Sequence, residues 1–229
     1  MTDLAVVCDF DGTATLLDIG DEICRHFCGG EYLALQKKLF FEGKLNTRSI
    51  IQSIYAPIRA GEDELVAFAL KTARLRPGFQ ELVAAARDRG APFYLASGGL
   101  RQYVEAVIAA HLPAGLRAHI RVRANEAVFS PEGLRVEYPG DAQSRALGCE
   151  VCGSCKRVAI AEARRGGAKY VLGVGDGFAD RCLVQFADRT FAREDSYLHR
   201  YCRDHHLDCT PFTDLFGAAE ALRAWPETR

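Results

Sequence analysis

The strongest constraint on this chain is a set of short, unbroken apolar runs, each stopping at a cluster of glycine and polar residues. Leu4-Ala5-Val6-Val7-Cys8 stops at Asp9-Phe10-Asp11-Gly12-Thr13, and Pro92-Phe93-Tyr94-Leu95-Ala96 stops at Ser97-Gly98-Gly99. Tyr170-Val171-Leu172-Gly173-Val174 stops at Gly175-Asp176-Gly177, and Arg189-Thr190-Phe191-Ala192 is a weaker fourth run. A strand with one wet face alternates apolar and polar residues, whereas one covered on both faces is apolar throughout, as in parallel sheets. The runs therefore predict an α/β fold, a Rossmann-like and mainly parallel sheet. The polar clusters fall at the carboxyl ends of its strands, the edge where open α/β sheets bind ligands.

Helical stretches lie between the runs. Pro77 stands near one helix start, with Arg87, Arg89 and Gly90 at its end, and Arg164-Arg165-Gly166-Gly167 closes another. Residues 119–138 read as a β-hairpin excursion around the turn Ser130-Pro131-Glu132-Gly133. Residues 16–75 break the alternation. Ile50, Ile54 and Ile58 recur every four residues, as do Leu65 with Ala69 and Leu35 with Leu39. That spacing predicts a small inserted helical bundle. The expected division is a core of residues 1–15 and 76–229 and a helical cap of residues 16–75. A length of 229 residues suits one medium domain with such an insert.

Charge narrows the partners. Lys+Arg is 29 against Asp+Glu 30, so no basic surplus points to nucleic acid or an acidic membrane. No apolar run is long enough to span a bilayer, and the N-terminus lacks a basic signal-peptide region. The expectation is a cytoplasmic protein, monomer or homodimer, acting on a small molecule.

Four motifs then carry chemistry. Asp9 and Asp11 leave a strand into a glycine turn, so that one carboxylate can attack while the other shuttles a proton. Ser97 with the bare amides of Gly98 and Gly99 suits a phosphate oxygen. Lys156 precedes Asp176 by 20 residues. Asp176 and Asp180, spaced i and i+4, offer the hard oxygen ligands that Mg²⁺ takes alongside a substrate phosphate. Each motif alone also fits an ordinary turn or a capped helix. Their order along the chain, each at a strand end, is what gives them weight together.

In that order they resemble the haloacid dehalogenase-like superfamily of phosphatases, over the whole chain. Asp9, Asp11 and Thr13 match the family's DxDGT motif, Ser97 its hydroxyl, Lys156 its lysine, and Asp176 and Asp180 its acidic motif. The insert is similar to the small helical cap of the phosphoserine phosphatase branch. Cys149-x-x-Cys152-Gly153-Ser154-Cys155-Lys156, Phe191-Ala192-Arg193, Tyr201-Cys202-Arg203 and Pro211-Phe212-Thr213-Asp214 resemble 2-hydroxy-3-keto-5-methylthiopentenyl-1-phosphate phosphatases. Phosphocholine/phosphoethanolamine phosphatases share parts of these segments. Gly177 departs from those methionine-salvage enzymes that carry serine at this position.

The resemblance implies a Mg²⁺-dependent phosphomonoesterase acting on a small phosphorylated metabolite through an aspartyl-phosphate. Asp9 would be the nucleophile and Asp11 the acid and base, with Thr13 positioning Asp11 or the phosphate. Ser97, Gly98, Gly99 and Lys156 would hold the phosphate. Asp9, the carbonyl of Asp11, Asp176 and Asp180 would serve the metal. Asp18 stands nine residues after Asp9, where phosphoserine phosphatases use a cap glutamate, and Arg48 loosely matches their carboxylate-binding arginine. Asp21 and Glu22 complete the cap candidates for substrate contact. The alternatives are a phosphoserine or phosphocholine/phosphoethanolamine phosphatase, a phosphoryl transferase or phosphomutase on the same scaffold, and a non-catalytic binding module. Cys149/Cys152/Cys155 and Cys202/His205/His206/Cys209 have zinc-like spacings, set against the plainer reading of buried thiols.

Overall fold

The computed structural model describes residues 3–149 and 156–226. One sheet of seven strands runs in the order β4-β3-β2-β1-β5-β6-β7. The strands are β1 (Leu4–Cys8), β2 (Phe93–Leu100), β3 (Ile120–Ser130), β4 (Gly133–Glu137), β5 (Tyr170–Gly175), β6 (Arg189–Arg193) and β7 (Thr210–Phe212). All neighbours are parallel except β3 and β4.

Every residue of β1 is buried, and its side chains alternate between two cores. Leu4, Val6 and Cys8 join a large cluster with Phe79, Leu82, Val104 and Leu222. Ala5 and Val7 face Ala159, Ile160, Ala163 and Leu183 on the other side. The apolar runs are thus the signature of a sheet buried on both faces, as their composition predicts.

Four helices lie between Thr15 and Leu75: α1 (Ile19–Cys28), α2 (Gly30–Phe41), α3 (Thr47–Tyr55) and α4 (Glu62–Thr72). They leave and rejoin the sheet through one neck, a bridge between Thr15 and Leu75. Asn46 caps α3 with a reciprocal bond to Ser49, and three acidic residues open α4, favourable against its N-terminal dipole. Ile58 is buried beyond the end of α3, and Leu65 and Ala69 are buried on α4. Leu35, by contrast, is 51% exposed, and α2 buries Leu33 and Gln36 instead. Apolar residues occur all round α2, so their spacing does not define its inward face.

The remaining helices are α5 (Phe79–Asp88), α6 (Arg101–His111), α7 (Ala114–Arg117), α8 (Asp141–Ala146), α9 (Lys156–Arg165), α10 (Arg181–Phe186), α11 (Tyr197–Asp204) and α12 (Phe216–Arg223). The expected hairpin exists, but it is not an excursion. β3 pairs parallel with β2 from Phe93 to Ala96 before turning into β4, so the hairpin forms one edge of the main sheet. β7, three residues long and containing Pro211, forms the other edge, and no run of apolar residues announces it.

β1 pairs with β2 on one side and β5 on the other, so the chain winds outward from it in both directions. The carboxyl end of β1 is the topological switch point, where doubly wound sheets leave a crevice for a ligand.

Candidate active site

The chain leaves β1 at Asp9 and enters a five-residue turn, Phe10–Ala14. Gly12 sits at φ +76, and a Cβ there would come within 2.7 Å of Asp176 Oδ2. Only glycine tolerates both the angle and the approach. Arg76 fixes this turn from below. Its buried guanidinium donates to the carbonyls of Gly12 and Thr13 at 2.7 Å, of Thr213 at 2.9 Å and of Thr15 at 3.2 Å. Pattern reading does not find Arg76, because an isolated arginine in a loop carries no spacing signal.

Asp9 lies at the floor of a cavity of about 220 Å³ that Asp11, Lys156, Asp176 and Asp180 also line. Lys156, at the start of α9 and 3% exposed, places Nζ 2.7 Å from Asp9 Oδ1 and 3.0 Å from Asp180 Oδ1. The second contact lies outside hydrogen-bond geometry, so Asp180 Oδ1 is a buried oxygen with charge beside it but no donor. Asp180 Oδ2 accepts the amides of Asp176 and Gly177 at 2.9 and 2.8 Å and so shapes the loop after β5. Asp176 Oδ1 accepts from the Thr13 hydroxyl at 2.9 Å, and its Oδ2 accepts from Arg193 Nη2 at 2.8 Å. The Thr13 hydroxyl therefore orients Asp176 and not Asp11, one of the two groups that it was expected to position. Arg193, at the end of β6, is a second residue whose part in the site the sequence does not reveal.

The charge balance is uneven. Burial, and then the charge of Asp180, raise the pKa of Asp9 well above the usual carboxylate range, and the same causes raise Asp176. Burial disfavours a charge on Lys156, but Asp180 and Asp9 outweigh it and raise its pKa. Asp9 and Asp180 thus share one buried ammonium, with Asp176 close by and paired to Arg193.

Asp11 is held separately. Its Oδ2 accepts the hydroxyls of Ser97 and Tyr103, both at 2.9 Å, and its Oδ1 accepts the Ile19 amide at 3.1 Å. Burial pushes its pKa up to about 6 against those bonds. Tyr103 in turn meets the Tyr55 hydroxyl at 3.4 Å, and neither tyrosine is marked by any motif. Ser97 ends an apolar run as read, but its Oγ also takes the Gly99 amide at 2.8 Å. That amide orients the serine and is not free for a phosphate. A Cβ on Gly99 would fall 1.7 Å from the Tyr103 hydroxyl, which explains the glycine sterically.

Of the residues expected in the insert, Asp18 and Asp21 line the cavity. Asp18 is exposed and caps α1 by accepting the Asp21 amide at 2.8 Å. Glu22 pairs with Arg25 on the surface. Arg48 is not among the cavity-lining residues; its guanidinium pairs with Asp141 and lies 4.2 Å over the Tyr138 ring.

Among the described residues, one group of three ligand-bearing side chains converges: Asp9, Asp176 and Asp180, with one oxygen each within 4.8 Å of the others. Hard carboxylate oxygens, an undonated buried Asp180 Oδ1 and excess negative charge all fit a divalent oxygen-seeking cation such as Mg²⁺. Cys202 is buried, Cys209 is half-buried, and His205 bonds the Tyr201 carbonyl, so these residues do not assemble with His206 into such a group. Cys152 and Cys155 lie outside the described residues.

A doubly wound sheet that gathers carboxylates and one buried lysine at its switch point defines an enzyme site of a kind suited to a phosphate ester. The sequence profile of the haloacid dehalogenase-like hydrolase family matches residues 6–185, and the chain belongs to that family. It is a phosphoric monoester hydrolase. It is 31% identical to 2-hydroxy-3-keto-5-methylthiopentenyl-1-phosphate phosphatase of Geobacillus thermodenitrificans, covering 96% of each chain. Identity to the protein of that name from Geobacillus kaustophilus is 29%, again over 96% of each. A substrate-bound phosphoserine phosphatase structure superposes with a TM-score of 0.68 at 21% identity, covering 96% of this chain and 98% of the other. No helix among the described residues is long and apolar enough to cross a membrane.

Proposed function

We propose that this chain is a Mg²⁺-dependent phosphomonoesterase that works through an aspartyl-phosphate on Asp9. Its substrate is a small phosphorylated metabolite of the kind named for its relatives, 2-hydroxy-3-keto-5-methylthiopentenyl 1-phosphate. The observation that carries the reading is the convergence of Asp9, Asp176 and Asp180 at the end of β1, with Lys156 against Asp9 and Asp180.

The phosphate dianion repels a carboxylate nucleophile, so the site must first cancel charge. Asp9, Asp176, Asp180 and the carbonyl of Asp11 would hold Mg²⁺, which would supply part of that cancellation. Lys156 supplies the rest from protein, and Asp180 keeps Lys156 and the β5 loop in place. Ser97 and the Gly98 backbone bind phosphoryl oxygens. Asp9 attacks phosphorus and becomes the acyl phosphate. Asp11, with a pKa near 6, holds a proton for the leaving alcohol and then removes one from the attacking water. Thr13 and Arg193 fix Asp176. The helical insert, residues 16–75, acts as a cap over the core of residues 1–15 and 76–229, excluding water and meeting the leaving group.

The test is phosphate release by the purified protein from p-nitrophenyl phosphate and from 2-hydroxy-3-keto-5-methylthiopentenyl 1-phosphate. Activity with Mg²⁺ that disappears in excess chelator is expected. Activity undiminished by chelator overturns the metal assignment.

A further inference from the structure

Two buried hydroxyls stand behind Asp11 and belong to no motif. Tyr103, on α6, is fully buried and donates to Asp11 Oδ2 at 2.9 Å. Tyr55, the last residue of α3, is also buried, and its hydroxyl lies 3.4 Å from that of Tyr103. A phenol has one proton to give. Tyr103 gives its proton to the Asp11 carboxylate, so in the second contact Tyr55 donates and Tyr103 accepts. Proton count thus sets the order Tyr55 to Tyr103 to Asp11.

The pair has a built place in the fold. A Cβ on Gly99 would overlap the Tyr103 hydroxyl, and one on Gly20 would fall 2.6 Å from the Tyr55 hydroxyl. Neither glycine has a positive φ, so the space and not the backbone angle calls for glycine at both positions. Both rings are embedded in the large apolar cluster, which holds the hydroxyls where they are. The helix that carries Tyr55 is itself tied to the edge hairpin: Gln52 accepts the Val136 amide at 2.9 Å and donates to the Leu134 carbonyl at 3.2 Å.

The other hydroxyl on Asp11 Oδ2 is that of Ser97. It too has one proton, and it cannot serve Asp11 and a phosphoryl oxygen at once. When Ser97 turns to the phosphate, Tyr103 is the side-chain donor left on Oδ2 among the described residues.

We propose that Tyr103 is a positioning residue for Asp11, ordered in turn by Tyr55 from the insert. The proposal rests on the phosphomonoesterase reading above. The two phenols act through Asp11: they keep its carboxyl aligned for proton transfer to the leaving oxygen while Ser97 is engaged by the phosphate.

The experiment measures kcat and KM with Mg²⁺ for n-pentyl and p-nitrophenyl phosphate in the wild type, Tyr103→Phe, Tyr55→Phe and the double variant. The pentyl ester needs a proton on its leaving oxygen, and the aryl ester hardly does. Tyr103→Phe should lower kcat by about tenfold on the pentyl ester and by less than about threefold on the aryl ester, with both KM values within about twofold of wild type. Tyr55→Phe should lower kcat on the pentyl ester by about threefold, because its contact is longer than an ordinary O–H···O bond. The double variant should lose no more than Tyr103→Phe alone, since Tyr55 acts through Tyr103. Should Tyr103→Phe fail to fold, the pentyl-selective loss in Tyr55→Phe decides. Equal losses on both esters, a loss carried by KM, additive losses or no loss at all overturns the positioning role and leaves the phosphatase reading standing. No turnover of either ester by the wild type overturns both.

Discussion

The carboxyl edge of the sheet and the helical insert face the same cavity but are built on different principles. At the sheet edge every functional side chain is fixed by charge or hydrogen bonds. Asp9 and Asp180 flank Lys156, Asp176 lies between Thr13 and Arg193, and Asp11 is held by Ser97, Tyr103 and the Ile19 amide. The insert meets that cavity with Ile51, Ile54 and Tyr55 beside Asp18 and Asp21, while Lys37 pairs with Asp21 and Arg48 with Asp141 of the core. Phosphoryl chemistry is the same whatever the leaving group, so it demands fixed residue types at fixed positions. Leaving groups differ in shape and polarity, and an apolar surface can be reshaped without touching phosphorus. Mutations at the edge should therefore act on every substrate, and those in the insert on ratios between substrates.

The largest effect should come from Asp9→Asn. An amide cannot form the acyl phosphate, so kcat should fall by roughly 10⁴-fold or more on every ester, and no acid-stable or hydroxylamine-sensitive phosphoenzyme should be trapped. A loss confined to one substrate would break the division between edge and insert at its centre.

Asp11→Asn should cost roughly 10²–10⁴-fold on alkyl phosphates, which need a proton on the leaving oxygen, and far less on p-nitrophenyl phosphate. The same variant has a stability signature in metal-free protein. The folded pKa of Asp11 is raised to about 6 from 3.8, so folding favours its protonated form. The resulting penalty is absent below about pH 4 and complete above about pH 6. At 1.36 kcal/mol per unit it amounts to about 3 kcal/mol. Wild-type stability should therefore fall as pH rises through that window, and Asp11→Asn should fall less steeply by about that amount in denaturant titrations. Parallel pH profiles would mean that Asp11 is solvated in solution.

The contrast also explains what could be read from sequence. The three main strands, Asp9, Ser97, Lys156, Asp176 and their common edge were legible, because a doubly buried strand must be apolar and because its polar end marks a switch point. Asp180 was legible as an acidic partner but not as the loop's amide acceptor, which needs coordinates. Arg76, Tyr103 and Arg193 were not legible, since each reaches the site from a distant segment through a single long side chain. The inward face of α2 was lost because its apolar residues surround it. β7 was lost because three residues at a sheet edge, one of them proline, give no period.

Arg76 sharpens the comparison from the structural side. Removing its guanidinium leaves the carbonyls of Gly12, Thr13, Thr15 and Thr213 without their donor. Buried acceptors left unpaired cost about 1–3 kcal/mol each, and relaxation and water recover part of that. Arg76→Ala should destabilise the fold by about 3 kcal/mol or more in chemical denaturation. Arg76→Lys should restore only a fraction, because one ammonium cannot span a fork of carbonyls. A loss below 1 kcal/mol would show that the turn after β1 holds itself.

Arg48→Ala should have the smallest effect, and it separates the two regions most cleanly. Its loose match to the carboxylate-binding arginine of phosphoserine phosphatases makes Arg48 a candidate to hold a substrate carboxylate. In the fold its guanidinium is about one-third exposed, pairs with Asp141 beyond β4 and stacks on Tyr138, whose hydroxyl also bonds the Arg48 carbonyl. It thus ties α3 to the edge hairpin. An ion pair this exposed contributes about 0–1 kcal/mol, so Tm should drop by no more than about 2–4 °C. The ratio of kcat/KM for O-phosphoserine to that for p-nitrophenyl phosphate should move by less than about threefold. A side chain satisfied by its own protein must break that pairing before it can bind a ligand, and the pairing's small worth makes this cheap enough to test. A selective loss of tenfold or more on phosphoserine would therefore show that Arg48 leaves Asp141 for the substrate, and the insert would then recognise charge as well as shape.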